Sequence, residues 1–226
     1  MHRWLTVRGS EWLAARPAGA DEDIHMPAAL AHHAIEQYSR PGDLVLDPFA
    51  GFGTAPITAQ RLGRHGLGVE YNPERAELAA AGLAAPDTVV RGDARQLTAA
   101  VADLAERTGL DCRGAVDLCL TSPPYMARND PASNPLTAYS SGTATYDSYL
   151  DELEGVFGDV AELIRPGGWL VVHAANLVHD GEVTPLAFDL TRVISRQLRF
   201  RGEITVAWNG APEWMTGDYL LTFCRD

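Results

Sequence analysis

From residue 44 onward, short β-branched runs alternate with helix-length stretches, and few architectures accept that order. The candidate strands are 44–47, 67–70, 88–90, 116–120, 169–173, 203–208 and 219–224. Helical patterns fill the gaps at 54–62, 73–83, 95–107, 146–164 and 185–198. The pattern over 146–164 is the strongest. Tyr149, Leu153, Val156, Phe157, Val160 and Ile164 recur at helical spacing, and acids fill the remainder until Arg165-Pro166-Gly167-Gly168 stops the helix. Strands joined by helical crossovers require a mostly parallel sheet with helices on both faces. The last two strands are separated by Asn209–Asp218, which holds Gly210, Pro212 and Gly217 but no helical period, so a hairpin and an antiparallel edge are expected. The expected fold is a seven-stranded α/β sheet forming a single domain over 1–226. Residues 1–24 read as an irregular arm. Residues 126–145 read as a loop which, at ~20 residues, is long enough to imply a functional role.

Composition narrows the classes. At 226 residues with 46% hydrophobic content, the chain can bury a core without staples. Its three cysteines, without CxxC spacing, indicate neither a disulfide framework nor a zinc site, and the histidines lack acid or Cys partners at metal-ligand spacing. No metal is expected. No apolar run spans a bilayer and the start lacks a leader, so a cytoplasmic protein with no membrane partner is expected. All 18 basic residues are Arg, yet the net charge is −12, which disfavours loose charge-driven binding to nucleic acid but permits a local basic cleft.

Leu44-Val45-Leu46-Asp47-Pro48-Phe49-Ala50-Gly51-Phe52-Gly53-Thr54 runs from a buried strand through a glycine turn into a helix. The glycines allow a tight turn and a close backbone approach to a ligand. A dinucleotide fingerprint would place a third glycine where Pro56 stands. Glu70 closes the next strand, 23 residues after Asp47, at an offset suited to ribose hydroxyls, and Asp93 follows the third strand, where it could accept from an adenine amine. Three acids at successive strand ends beside such a turn suggest a nucleoside site that needs no phosphate.

The fourth strand runs into Thr121-Ser122-Pro123-Pro124-Tyr125. Two prolines remove two donors and leave carbonyls free to accept. The Ser122 hydroxyl and Pro123 carbonyl could therefore accept from one amino group while Tyr125 offers a flat face to a ring. With a sulfonium methyl in line behind that nitrogen, proximity and desolvation would carry the rate without a strong general base. Arg128, in the adjoining loop, is the candidate to touch substrate. Arg192, Arg196, Arg199 and Arg201 are read first as a solvated face.

These motifs resemble the S-adenosylmethionine-dependent amino-methyltransferases, and most closely the DNA N4-cytosine/N6-adenine methylase superfamily. His25–Leu30 followed by Arg40-Pro41-Gly42-Asp43 and DPFAGFGT, then LGRHGLGVEYNPE, TSPPY, LIRPGGWL and EITVAW, carry the resemblance over residues 25 to about 208. It implies a Rossmann-like methyltransferase sheet, S-adenosyl-L-methionine as cofactor and methyl transfer to the exocyclic amine of a nucleobase in DNA. Guanine-N2 methylation of tRNA, or N-methylation of a small molecule or protein amide, stand as alternatives. By the resemblance, His25, Phe49, Gly51, Gly53 and Thr54 would line the cofactor and Asp47 would lie near its methionine end. Glu70 would hold its ribose, Asp93 its adenine, and Ser122, Pro123, Pro124 and Tyr125 would grip the amine and base. Such methylases carry a large target-recognition region, for which only residues 1–24 and 126–145 are at hand. That suggests a short site, delegated recognition, or a substrate other than duplex DNA.

Overall fold

The strand at Leu44–Asp47 is buried at every position, as the middle of a parallel sheet requires. Leu44 and Leu46 point to one side, where they meet Leu97, Val101 and Leu104, while Val45 points to the other and meets Leu30, Ala34, Ile35, Ala55 and Ala59. The computed structural model describes residues 4–15, 25–130, 134–138 and 144–226. Its elements, in chain order, are β1 (Trp4–Arg8), α1 (Gly9–Ala14), α2 (Ala28–Tyr38), β2 (Leu44–Asp47), α3 (Thr54–Arg61), β3 (His65–Glu70), α4 (Pro73–Ala81), β4 (Val89–Arg91), α5 (Leu97–Thr108), β5 (Val116–Thr121), α6 (Tyr146–Leu163), β6 (Ile164–His179), β7 (Glu182–Thr184), α7 (Leu186–Ile194), β8 (Arg199–Asn209) and β9 (Met215–Cys224). The strands form one sheet in the order β1-β8-β9-β6-β5-β2-β3-β4, with β7 paired to β6 off that path. Helices α1 to α3 pack on one face and α5 to α7 on the other.

The α/β class, the mostly parallel sheet and the helices on both faces agree with the sequence. Two details do not. The strand count is nine among the described residues, because β1 and β7 were not expected. The antiparallel strand is also not at an edge: β9 lies between β6 and β8 and runs antiparallel to both. β8 in turn is covered by β1, parallel to it with Trp4–Arg8 opposite Thr205–Asn209.

The irregular arm expected over 1–24 is therefore corrected in its described part, which is a strand and a short helix. In β1 only Val7 is buried, and its partner strand lies some 200 residues away in sequence, so neither alternation nor a nearby crossover marks it. Residues 16–24 of that arm lie outside the described residues.

The pairing of α3 with β3 is the tightest helix–strand contact around the glycine turn. A Cβ on Gly66 would lie 2.3 Å from the Pro56 carbonyl oxygen, and one on Gly68 would meet Ala50 at 2.8 Å. The close approach that a third glycine at position 56 would allow from the helix is thus supplied from the strand. α6 is held at its start by a reciprocal pair: the Ser148 N–H donates to Thr145 Oγ1 and the Thr145 N–H to Ser148 Oγ. It buries Tyr149, Leu153, Val156, Phe157 and Val160, the face read from the sequence.

Gly66→Ala should destabilise the protein by about 1–3 kcal/mol through overpacking, since the atom it meets is backbone and cannot rotate away. Thermal denaturation should show a loss of several degrees; an unchanged midpoint would mean that α3 is free to move off the sheet.

Candidate active site

The carboxyl ends of β2, β3 and β5 converge on one cavity, the usual ligand position in an open α/β sheet. His25, Asp47, Phe49, Gly51, Thr54, Glu70, Ser122, Pro123, Pro124 and Tyr125 all line it, together with Met26, Tyr71, Arg75 and Ala94. Its space, open mouth included, is about 1000 Å³.

Asp47 closes β2 at 3% exposure. The Thr121 hydroxyl donates to its Oδ1 at 2.6 Å and the Phe49 N–H donates to the same oxygen at 3.0 Å. Both donors fall on Oδ1, so Oδ2 takes neither. Burial pushes the carboxyl up to about 7, against those two hydrogen bonds and with a smaller push from Glu70. Glu70 closes β3 with one oxygen on the Gly51 N–H at 2.7 Å and the other on the Asn72 N–H at 2.8 Å. It too is raised by burial. Gly51 has φ +54°, and a Cβ there would meet nothing nearer than 4.0 Å, so the turn presents bare backbone to the cavity.

Across from these acids, the Tyr149 hydroxyl donates to the Pro124 carbonyl at 2.8 Å. No donor among the described residues reaches the Pro123 carbonyl, which leaves it and the Ser122 hydroxyl available on the cavity wall. The Tyr125 hydroxyl lies 3.4 Å from Ser122 Oγ and donates to the His173 carbonyl, also at 3.4 Å. Burial makes the phenol a weaker acid than usual, so it stays protonated.

Three residues expected at the site are elsewhere. Gly53 has φ +82° and precedes α3; a Cβ there would lie 2.9 Å from the Ala79 Cβ, so it serves the approach of α3 to α4. Asp93 does not line the cavity. Its carboxylate accepts from the Arg95 N–H and side chain, with Oδ2 at 2.7 Å from Nη2, and these bonds hold it below the usual range against its partial burial. Arg128 turns away: Nη2 donates to Asp189 at 2.7 Å, and the guanidinium lies over the Tyr146 ring at 5.1 Å. Arg196 pairs with Glu154, and Arg199 lies 3.7 Å from Asp226. Arg199 and Arg201 stand at the start of β8, the end away from the cavity.

The 126–145 loop contributes as its length suggested. Pro135, Leu136 and Ala138 line the cavity, while 131–133 and 139–143 lie outside the described residues. Asn134 caps this short turn and donates to Glu152 at 3.2 Å, and Glu152 accepts from Arg95 at 2.9 Å. Asp93 thus acts on the cavity at a distance, through Arg95, Glu152 and Asn134.

Sequence reasoning missed a second chamber. A narrow space of about 20 Å³, it shares His25, Ser122 and Tyr125 with the first and is otherwise lined by Trp12, Pro27, His173, Trp208, Trp214, Met215 and Asp218. Trp12 stacks on His25 with centroids 5.2 Å apart and meets Trp208 edge-on at 5.4 Å. Three of the chain's five tryptophans line one small space. Their scatter over α1, β8 and the β8–β9 connection left no local signal. Among the described residues no three His, Cys, Asp or Glu side chains cluster as metal ligands, and no helix is long and apolar enough to cross a membrane.

With this geometry established, comparison with known proteins is informative. Residues 12–81 match the N6/N4 family model described as DNA methylase. Over 64 residues the chain is 41% identical to the type II methyltransferase M.Cfr9I of Citrobacter freundii, a match covering 28% of this chain and 21% of that protein. Over 53 residues it is 47% identical to the type II methyltransferase M.SmaI of Serratia marcescens, covering 24% and 18%. The matches thus span about a fifth of these relatives' length. In structure the chain is similar to a TehB-like SAM-dependent methyltransferase from Corynebacterium glutamicum, with a TM-score of 0.56, 15% identity and 96% of this chain and 95% of that one covered. The resemblance to the DNA amino-methylases is shown over the segment holding the glycine turn, and the fold is the Rossmann-like sheet of methyltransferases.

The buried carboxyl of Asp47 makes stability depend on pH with a defined sign. Its folded value of about 7 lies above the unfolded value near 3.8, so the folded state holds the extra proton between them and stability falls as pH rises through that window. At that shift the cost above pH 7 is up to about 4 kcal/mol. Asp47→Asn keeps an acceptor for Thr121 and should melt higher than the wild type at pH 8, by a margin that shrinks towards pH 5. A pH-independent difference would remove the raised carboxyl.

Proposed function

We propose that the protein binds S-adenosyl-L-methionine in the large cavity and transfers its methyl group to the exocyclic amine of a nucleobase in DNA, cytosine N4 or adenine N6. The observation that carries this reading is the meeting, in one cavity, of the acid-lined glycine turn with the Ser122–Tyr125 segment. The donor set fits the cofactor. Asp47 and Glu70 offer carboxylates to a cation and to ribose hydroxyls, and the bare backbone at Gly51 admits close contact. Asp93 has no part in that fit, so the adenine ring would lie by Ala94 and Tyr71 instead.

When bound, the cofactor supplies an electrophilic methyl on a sulfonium. The chain's residues then orient the acceptor. Ser122 Oγ and the Pro123 carbonyl accept from the amine, aiming its lone pair and excluding water, and Tyr125 packs against the ring. Ionised Asp47 stabilises positive charge on the cofactor side. Support for nucleic acid comes from the family match and from the two type II methyltransferases.

The test uses the purified protein, methyl-labelled cofactor and unmethylated DNA, tRNA and a small-molecule extract in parallel, with digestion to nucleosides and mass spectrometry. N4-methylcytosine or N6-methyladenine is expected. N2-methylguanine, or label only in the extract, would overturn the DNA assignment. Pro123→Ala and Tyr125→Ala should retain calorimetric cofactor binding and lose roughly 100-fold in turnover, the scale of a misplaced reactant.

Cofactor affinity should also rise from pH 6 to pH 8. A cationic ligand favours ionised Asp47, whose free-protein value is about 7, so binding below that pH must release a proton. Equal calorimetric affinities at the two pH values would place the charge elsewhere.

A further inference from the structure

The second chamber contains a buried imidazole beside a buried carboxylate. His173 is 7% exposed and Asp218 2%. Opposite β5, Thr121 pairs with Val172, so His173 stands level with Ser122 on the neighbouring strand. Asp218 Oδ1 lies 2.8 Å from His173 Nε2. The carboxylate is anchored by the Trp208 indole N–H on Oδ2 at 2.8 Å and by the Tyr219 N–H on Oδ1 at 3.0 Å. Among the described residues neither ring nitrogen of His173 makes a well-formed hydrogen bond: Nε2 has only the close approach of Asp218, and Nδ1 has no partner. A buried polar atom is normally paired, and His173 lines a space shared with Ser122 and Tyr125 of the proposed amine grip.

We infer that His173, backed by Asp218, is a further catalytic residue: it takes the proton that the acceptor amine releases on methylation. The inference rests on the methyl-transfer reading and deepens it by naming the group that receives the amine's proton. The balance of the step shows the need. The amine lone pair forms the new N–C bond while the S–C bond breaks and its electron pair stays on sulfur. The nitrogen then carries one bond and one positive charge too many, and one proton must leave.

Among the groups facing His173, Tyr125 stays protonated and Ser122 is a neutral hydroxyl. His25 lies flat against Trp12, and no arginine lines the chamber. Asp47 is on the cofactor side, with Oδ1 already holding two donors. The proton passes to Nδ1, and Asp218 offsets the imidazolium charge. When the product leaves, the proton returns to solvent.

The test compares full-chain wild type, His173→Gln and Asp218→Asn by melting temperature, by quenching of tryptophan fluorescence with a single-stranded oligodeoxynucleotide holding cytosine and adenine, and by turnover at saturating cofactor. His173→Gln should melt and quench as the wild type does, yet lose roughly 100-fold in turnover, as loss of a general base does. Added imidazole should restore part of the rate. Turnover equal to wild type, or no rescue by added imidazole, would overturn the inference. So would loss of quenching in proportion to turnover, which would make His173 a binding group. If His173→Gln melts far below the wild type, Asp218→Asn decides: reduced turnover with quenching retained supports the relay, and full turnover overturns it. Wild-type label on an acceptor other than DNA would refute the DNA reading alone, and the His173 comparison would then be made on that acceptor.

Discussion

The hydrogen bond from Thr121 to Asp47 joins the two halves of the site. It ties the end of β5 to the end of β2 at 2.6 Å, in a place where water cannot compete. One residue beyond Thr121 begins the segment proposed to hold the amine; two residues beyond Asp47 begins the turn proposed to hold the cofactor. Methyl transfer needs its two reactants within bonding reach and in line. A single buried bond between adjacent strands therefore sets the distance that matters most, and it draws on a carboxyl that burial has already made reluctant to ionise.

Around that bond, the packing is arranged to leave the turn open. Gly66 and Gly68 let Pro56 and Ala50 come down onto β3, which brings the start of α3 close beneath the cavity. Glu70 then closes on the Gly51 N–H and holds the turn from the next strand. On the far side, the path Asp93–Arg95–Glu152–Asn134 fastens the described piece of the long loop to α6. The two ion pairs in it are partly exposed and worth at most about 1 kcal/mol each, so that roof is held more loosely than the floor.

Much of this was legible in the residues. β2, β3 and β5 are short apolar runs between helical periods, and their terminal acids and the Ser122–Tyr125 turn announce themselves by type and position. α6 showed both its buried face and its stop. What escaped notice shares one physical cause: partners distant in sequence. β1 has one buried residue and a mate at 205–209. The hairpin of β8 and β9 was visible, but the insertion of β9 against β6 was not, since pairing order leaves no mark on local composition. His173 looked bland because Asp218 is 45 positions away. Asp93 and Arg128 were misplaced for a related reason: Arg95, Glu152 and Asp189 compete for the same charges, and spacing alone does not reveal which competitor wins.

The position of β1 has a consequence for how the molecule is made. Its mate in the sheet, β8, lies some 200 residues further along the chain, so a segment synthesised earlier must wait for its partner. Contacts this distant in sequence slow folding, and chains generally acquire structure as they emerge. Trp12 follows directly on β1 and walls the second chamber. During synthesis the glycine turn can assemble long before that wall exists. The nascent chain would therefore gain a place for a nucleoside before it gains an enclosed place for an amine, which postpones chemistry until β8 has been made and paired.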